Sequence, residues 1–147
     1  RLSRPCAFRV VAAACAAVTT ASAAAEPLLP RPPSELENLR KVFSAAVAAR
    51  DIARIAKLSH FPLAVDVYGS TPRLSEWEFM RDKQHFDGWF GGGDPGLARC
   101  LASQSLTMQR GKDFGAGAWS IDCSGNEYYF ARPDGRWAFV AYQNINE

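Results

Sequence analysis

The chain has 147 residues, of which 48% are apolar, 22% charged and 12% aromatic, with a formal net charge of +2. That is one domain's length, too apolar and too aromatic to stay disordered. The first 25 residues hold ten alanines, three arginines and no acid, and the other 122 carry 14 Lys+Arg against 15 Asp+Glu. The basic excess therefore belongs to the N-terminal segment and gives no electrostatic footing for nucleic acid or an anionic membrane.

Residues Arg1 to Arg9 are basic, Val10 to Val18 are nine residues of Val, Ala and Cys, and small residues follow up to Ala25. This order predicts a secretory signal peptide over residues 1–25. Ala21-x-Ala23 and Ala23-x-Ala25 both fit a cleavage signal, and the second starts the mature chain at Glu26. Nine apolar residues are too few for a membrane span, which takes about 20. Acylation of Cys15 is the rival reading, but the apolar run before that cysteine is short. The expectation is export to a bacterial periplasm or the medium, with no membrane span in the mature protein. Cys100 and Cys123 remain after cleavage, and an even pair in an oxidising compartment predicts a disulfide. A catalytic thiol or a pair of metal ligands is the alternative. No CxxC pair or metal-ligand spacing supports it, so no metal and no cofactor is expected.

Residues 26–33 contain four prolines and read as an extended lead-in; residues 34–147 read as one domain. Ser34-x-x-Glu37 has the form of a capping box, followed by Leu36, Leu39, Phe43, Ala46 and Val47 at helical spacing. Asp51 predicts the cap of a second helix carrying Ile52, Ile55 and Leu58, ended by Phe61-Pro62. Leu63, Val65 and Val67 alternate with polar or small residues as in a strand, which turns Asp66 away from the core. Ser75-x-x-Glu78 predicts a third helix with Phe79 and Phe86 on one face, joined by Phe90 if the helix runs that far. Gly88 to Gly96 holds five glycines and a proline and reads as a loop. From Gln104 onward, short alternating runs separated by Gly111-Lys112, Gly125-Asn126 and Asp134-Gly135 predict an antiparallel meander. The expected architecture is α+β: three N-terminal helices packed on a curved antiparallel sheet of about four to five strands.

Phe61-Pro62-Leu63-x-Val65, Phe79 to Phe86, Gly115-x-Gly117-x-Trp119 and Ile145-Asn146 occur in this element order over roughly residues 34 to 146. The chain thereby resembles small exported members of the nuclear-transport-factor-2-like (cystatin-like α+β cone) superfamily. The resemblance implies a cone-shaped domain, with homodimerisation through the sheet as a common arrangement. Its members include isomerases, dehydratases, polyketide cyclases and non-enzymatic modules, and packing motifs do not choose among them.

Trp89, Phe90, Trp119, Tyr128, Trp137 and Tyr142 are the candidate ligand- or partner-binding residues, because aromatics crowd the last strands and Trp89-Phe90 stand among glycines. Trp89-Phe90 are expected exposed, as a lid or a binding knuckle. No catalytic residue is expected; the alternative is Asp66 as a base with Tyr68 as phenol donor, in a lyase or isomerase acting by proton transfer. His60 is expected at a helix end and His85 on the polar side of a helix with Glu78 and Arg81. The reading is an exported binding or accessory module without catalysis of its own, taking a small apolar molecule or another envelope protein. An inhibitor or immunity-type partner using the Gly88–Gly96 loop is the further alternative.

Overall fold

The helix α1 (Ser34–Ala48) forms as its apolar spacing predicts, but its start differs from the expected capping box. Pro33 is the N-cap and no side chain caps the helix. Ser34 lies inside the first turn, and Glu37 instead pairs with Arg40 one turn on, at 2.6 Å. The proline ring fixes φ at −58°, and with ψ at 145° Pro33 takes the non-helical backbone of a cap, so Ser34 is already the first helical residue. Arg50 then adopts φ +56°, and Asp51 caps α2 (Ile52–Lys57) by accepting from the Arg54 amide at 3.0 Å.

The computed structural model describes residues 25, 28–66, 73–110 and 117–146. Among them the helices α1 and α2 are followed by β1 (Ser59–Asp66), β2 (Arg73–Leu74), α3 (Glu76–Arg81), α4 (Lys83–Phe90) and α5 (Pro95–Ser103). The strands β3 (Thr107–Met108), β4 (Trp119–Cys123), β5 (Asn126–Ala131) and β6 (Ala138–Asn144) complete the order. The architecture is α+β, with five helices and one six-stranded sheet among the described residues.

Several expectations are corrected here. The helix predicted from Ser75 is two helices, broken at Asp82 (φ −98°, ψ 99°), which ends α3 and caps α4 through the Gln84 amide. The glycine-rich stretch is not one loop. Gly88 lies within α4, Gly91 closes it with φ +56°, and Asp94 opens α5 with Pro95 in its first turn. Apart from residues 91–94 the expected Gly88–Gly96 contact loop is therefore helical. Phe61-Pro62 does not end α2 but lies inside β1, where the pairing with β6 shifts register between Ser59 and Ala64. Proline cannot donate to a ladder, and an irregular register is where a strand tolerates it.

The sheet order is β2-β1-β6-β5-β4-β3. The β4-β5-β6 segment is the predicted antiparallel meander, but β1 and β6 run parallel, so the sheet is mixed. Alternation within a strand encodes which face is buried and says nothing about which neighbour it meets.

One apolar core takes side chains from all five helices and from β1, β4, β5 and β6. Phe43 of α1 lies at its centre, with the rings of Phe139, Phe130 and Phe90 at 5.0, 5.3 and 5.8 Å. Trp119, Ile121 and Cys123 face the same core from β4, as their alternation predicts. The β6 alternation breaks: Phe139 and Tyr142 face the helices, whereas Ala141 joins Tyr129 and Ala64 on the far face. The cause is a register shift opposite Tyr129 and Phe130, which gives β6 one extra residue and changes its phase. Of the aromatics on β4, β5 and β6, only Tyr129 lies on the far face, donating to the Glu127 carboxylate. The crowding that suggested an aromatic surface needing a cover is thus packed against the helices. Cys100 of α5 and Cys123 of β4 are joined by a disulfide with Cα atoms 6.0 Å apart.

Candidate functional site

The six aromatics singled out from the sequence separate into distinct environments. Trp89, Phe90, Tyr128 and Tyr142 come together inside the core. Trp89 stacks on Tyr142 at 4.9 Å, Phe90 stacks on Tyr128 at 5.6 Å, and the two tyrosine rings are 5.5 Å apart. The expectation that Trp89-Phe90 stand exposed is corrected: they are 7% and 0% exposed, because α4 continues through them and turns both rings inward. Trp119 is buried on β4, and Trp137 is half-buried just before β6. The Asp66 backbone pairs with Gln143 at the end of β1; the Asp66 side chain and Tyr68 lie outside the described residues. Residues 1–24 of the expected leader lie outside them as well.

The Tyr128 hydroxyl donates to the Trp89 carbonyl, joining β5 to the end of α4. Burial pushes the Tyr128 phenol well above its ordinary range, and the neighbouring Tyr142 adds to the shift. The Tyr142 hydroxyl donates to Asn126 Oδ1 at 2.7 Å. Deeply buried phenols with fixed acceptors tie elements together, and here they close the inner face of the sheet against α4.

The aromatic stack nevertheless runs outward. Trp89 contacts Phe79 at 5.8 Å and His85 at 5.5 Å, and His85 lines an open surface groove of about 550 Å³ with Leu74, Trp77, Glu78, Arg81 and Asp82. The groove lies over the β2–α3–α4 segment. Its most exposed apolar wall is Trp77, 64% accessible, with Met80 also exposed on α3. The Arg81 guanidinium sits 4.7 Å over the Trp77 ring, one helical turn on, and holds that ring in place from one side.

The groove's charges are locally anchored. Ser75 and Glu78 form the second predicted capping box: the Ser75 amide donates to Glu78 Oε2 at 2.8 Å, and the Glu78 amide donates to Ser75 Oγ. The Ser75 hydroxyl, then the Ser75 amide, hold the Glu78 carboxyl below its usual range. Asp82 caps α4 and stands 3.7 Å from His85 Nε2. The predicted grouping of Glu78, Arg81 and His85 is thus present, although on two helices rather than one. His60 is not at a helix end; it is the second residue of β1 and meets Asp134 at 3.2 Å. The two histidines meet different acids, and among the described residues no three metal-ligating side chains gather.

Trp77 was missed as a site residue, though a local signal was present. It lies two residues before the core-facing Phe79, about 200° around the helix, which turns it to solvent. Arg81 stands four residues on, where a guanidinium reaches its ring.

No protein-family model matches the chain, and no curated protein matches it significantly. Among solved structures it is similar to an NTF-2-like protein of unknown function from Shewanella oneidensis MR-1, at 13% identity and TM-score 0.39, covering 75% of this chain and 95% of that one. It is also similar to an NTF2-like protein of unknown function from Pseudomonas putida KT2440, at 14% identity and TM-score 0.38, covering 75% of this chain and 82% of that one. Neither likeness carries a residue role to this chain. Among the described residues no helix is long and apolar enough to cross a membrane.

Proposed function

We propose that this protein is an exported small-molecule-binding module that takes its ligand in the groove lined by Leu74, Trp77, Glu78, Arg81, Asp82 and His85. The observation that carries the reading is Trp77: a large ring left 64% exposed, steadied by Arg81, in the same groove as His85, whose own ring contacts Trp89 of the core. Exposing an indole costs the burial that a core position provides, so a fixed, solvent-facing ring fits a stacking platform. Two carboxylates face one guanidinium there, which favours a ligand with an apolar, flat portion and hydrogen-bond donors or a positive charge. Export is supported by the leader-like residues 1–25 and by the Cys100–Cys123 bridge, a bond suited to an oxidising compartment.

Native mass spectrometry of the protein purified from the periplasm of an expressing cell tests this reading. The expected result is a retained small-molecule mass that disappears in Trp77→Ala, while circular dichroism shows the fold unchanged. A protein that carries no retained mass, or one whose retained mass survives Trp77→Ala, rejects the groove as the binding site.

A further inference from the structure

A second groove, of about 350 Å³, lies where the start of α1 meets the β5–β6 turn, lined by Glu35, Leu39, Arg132, Gly135, Arg136 and Trp137. Its composition differs from that of the Trp77 groove: two arginines face one acid, over an apolar floor of Leu39 and Trp137.

The arginines lack the partners that the turn could have given them. Asp134, between them in sequence, stands 3.2 Å from His60 of β1. Among the described residues no carboxylate lies within 4.0 Å of either guanidinium, so Glu35 shares the groove without pairing. Arg132 is also held in place. Its Nε and Nη2 donate to the Gly135 carbonyl at 3.0 and 2.7 Å, and its guanidinium lies 5.8 Å from the Trp137 ring centre. A guanidinium fixed by a backbone carbonyl and a ring face loses little freedom when an anion arrives.

We infer that this groove binds a small organic anion, a carboxylate carried on a flat apolar body, with Arg132 and Arg136 taking the charge and Trp137 and Leu39 the apolar face. The site is separate from the Trp77 groove and of opposite charge preference, so either can fail without the other. The unpaired Glu35 carboxylate lowers the positive field and tunes the site toward a single negative charge.

The test is a titration of the purified full chain, followed through its tryptophan indole ¹H–¹⁵N resonances, with naphthalene-2-carboxylate and with the neutral naphthalene-2-methanol. Loss of a resonance in Trp137→Phe identifies the Trp137 signal, and the Trp77 signal reports the other groove separately. The carboxylate is expected to shift the Trp137 resonance saturably and to bind at least tenfold tighter than the alcohol. Added salt should weaken it. Arg136 is exposed and makes no hydrogen bond or ion pair among the described residues, so Arg136→Gln should weaken the carboxylate about tenfold with the protein still folded, and Glu35→Gln should tighten it severalfold. Equal affinity for acid and alcohol, no effect of Arg136→Gln, or no saturable shift at millimolar carboxylate would overturn the assignment.

Discussion

Tyr128 shows how one side chain links the sheet to the helices. Its ring packs on Phe90 and its hydroxyl satisfies the Trp89 carbonyl near the C-terminus of α4, where helix carbonyls lack intrahelical donors. Tyr128→Phe keeps the ring and leaves that carbonyl buried and unpaired, so urea denaturation should show a loss of about 1–3 kcal/mol. The same phenol gives a pH dependence of known sign. In the unfolded chain it ionises near pH 10, whereas in the folded protein burial holds it protonated to higher pH. Its contribution is complete below about pH 10 and is lost as pH rises toward the folded value, because the unfolded state then releases the proton first. Stability measured between pH 9 and 11 should therefore fall, and it should fall less steeply in Tyr128→Phe.

At the scale of elements, glycine separates what an isolated helix prefers from what the packed chain requires. Gly88 lies inside α4 with no atom within 4 Å of where a Cβ would stand. Gly88→Ala should raise stability by about 0.5–1 kcal/mol, the ordinary gain of alanine in a helix. Gly93, five residues on, has φ +82°, and a Cβ there would stand 2.7 Å from Arg50 Cγ. Gly93→Ala should lower stability by at least about 1–2 kcal/mol from backbone strain alone. Thermal melts of the two variants should move in opposite directions. Both glycines belong to the stretch that composition reads as one loop. Glycine content records conformational freedom, while the inward rings of Trp89 and Phe90 and the Asp94 cap decide that helix is used on either side of a short turn.

For the whole molecule, the Cys100–Cys123 bridge ties α5 to β4, two elements that also pack together. Closing a loop of this length restricts the unfolded chain by about 3 kcal/mol in the loop-entropy account. Cys100→Ser with Cys123→Ser should lose about that much stability in urea while keeping the native circular dichroism, and a reducing agent should reproduce the loss only in the parent. The parallel pairing of β1 with β6 lets the helical segment between β1 and β4 cover one face of the sheet, and leaves small residues such as Ala64 and Ala141 with Tyr129 on the other. A larger aromatic far face would have pointed to a partner subunit. Among the described residues of β4, β5 and β6 the aromatic on that face is Tyr129, bonded to Glu127, which does not supply that argument.

Short-range features could be read from the residues alone. The Asp51 and Ser75–Glu78 caps, the turn between β4 and β5 (expected at Gly125-Asn126 and found one residue earlier, at Ser124-Gly125, with both at positive φ), the inward phase of Trp119, Ile121 and Cys123, and the cysteine pairing each depend on a few adjacent residues or on simple arithmetic. The break at Asp82, the extra residue in β6 that sends Tyr142 inward, the parallel β1–β6 pair and the burial of Trp89 and Phe90 all required distant segments to meet. Both grooves belong to that second group. Local pattern places Trp77 and Arg81 on one helix face, but only packing brings His85 beside them, and only the fold sets the start of α1 against Arg132, Arg136 and Trp137. Hydrogen bonding within a turn is decided by its own few residues, whereas the shape of a surface is decided by contacts between segments far apart in the chain.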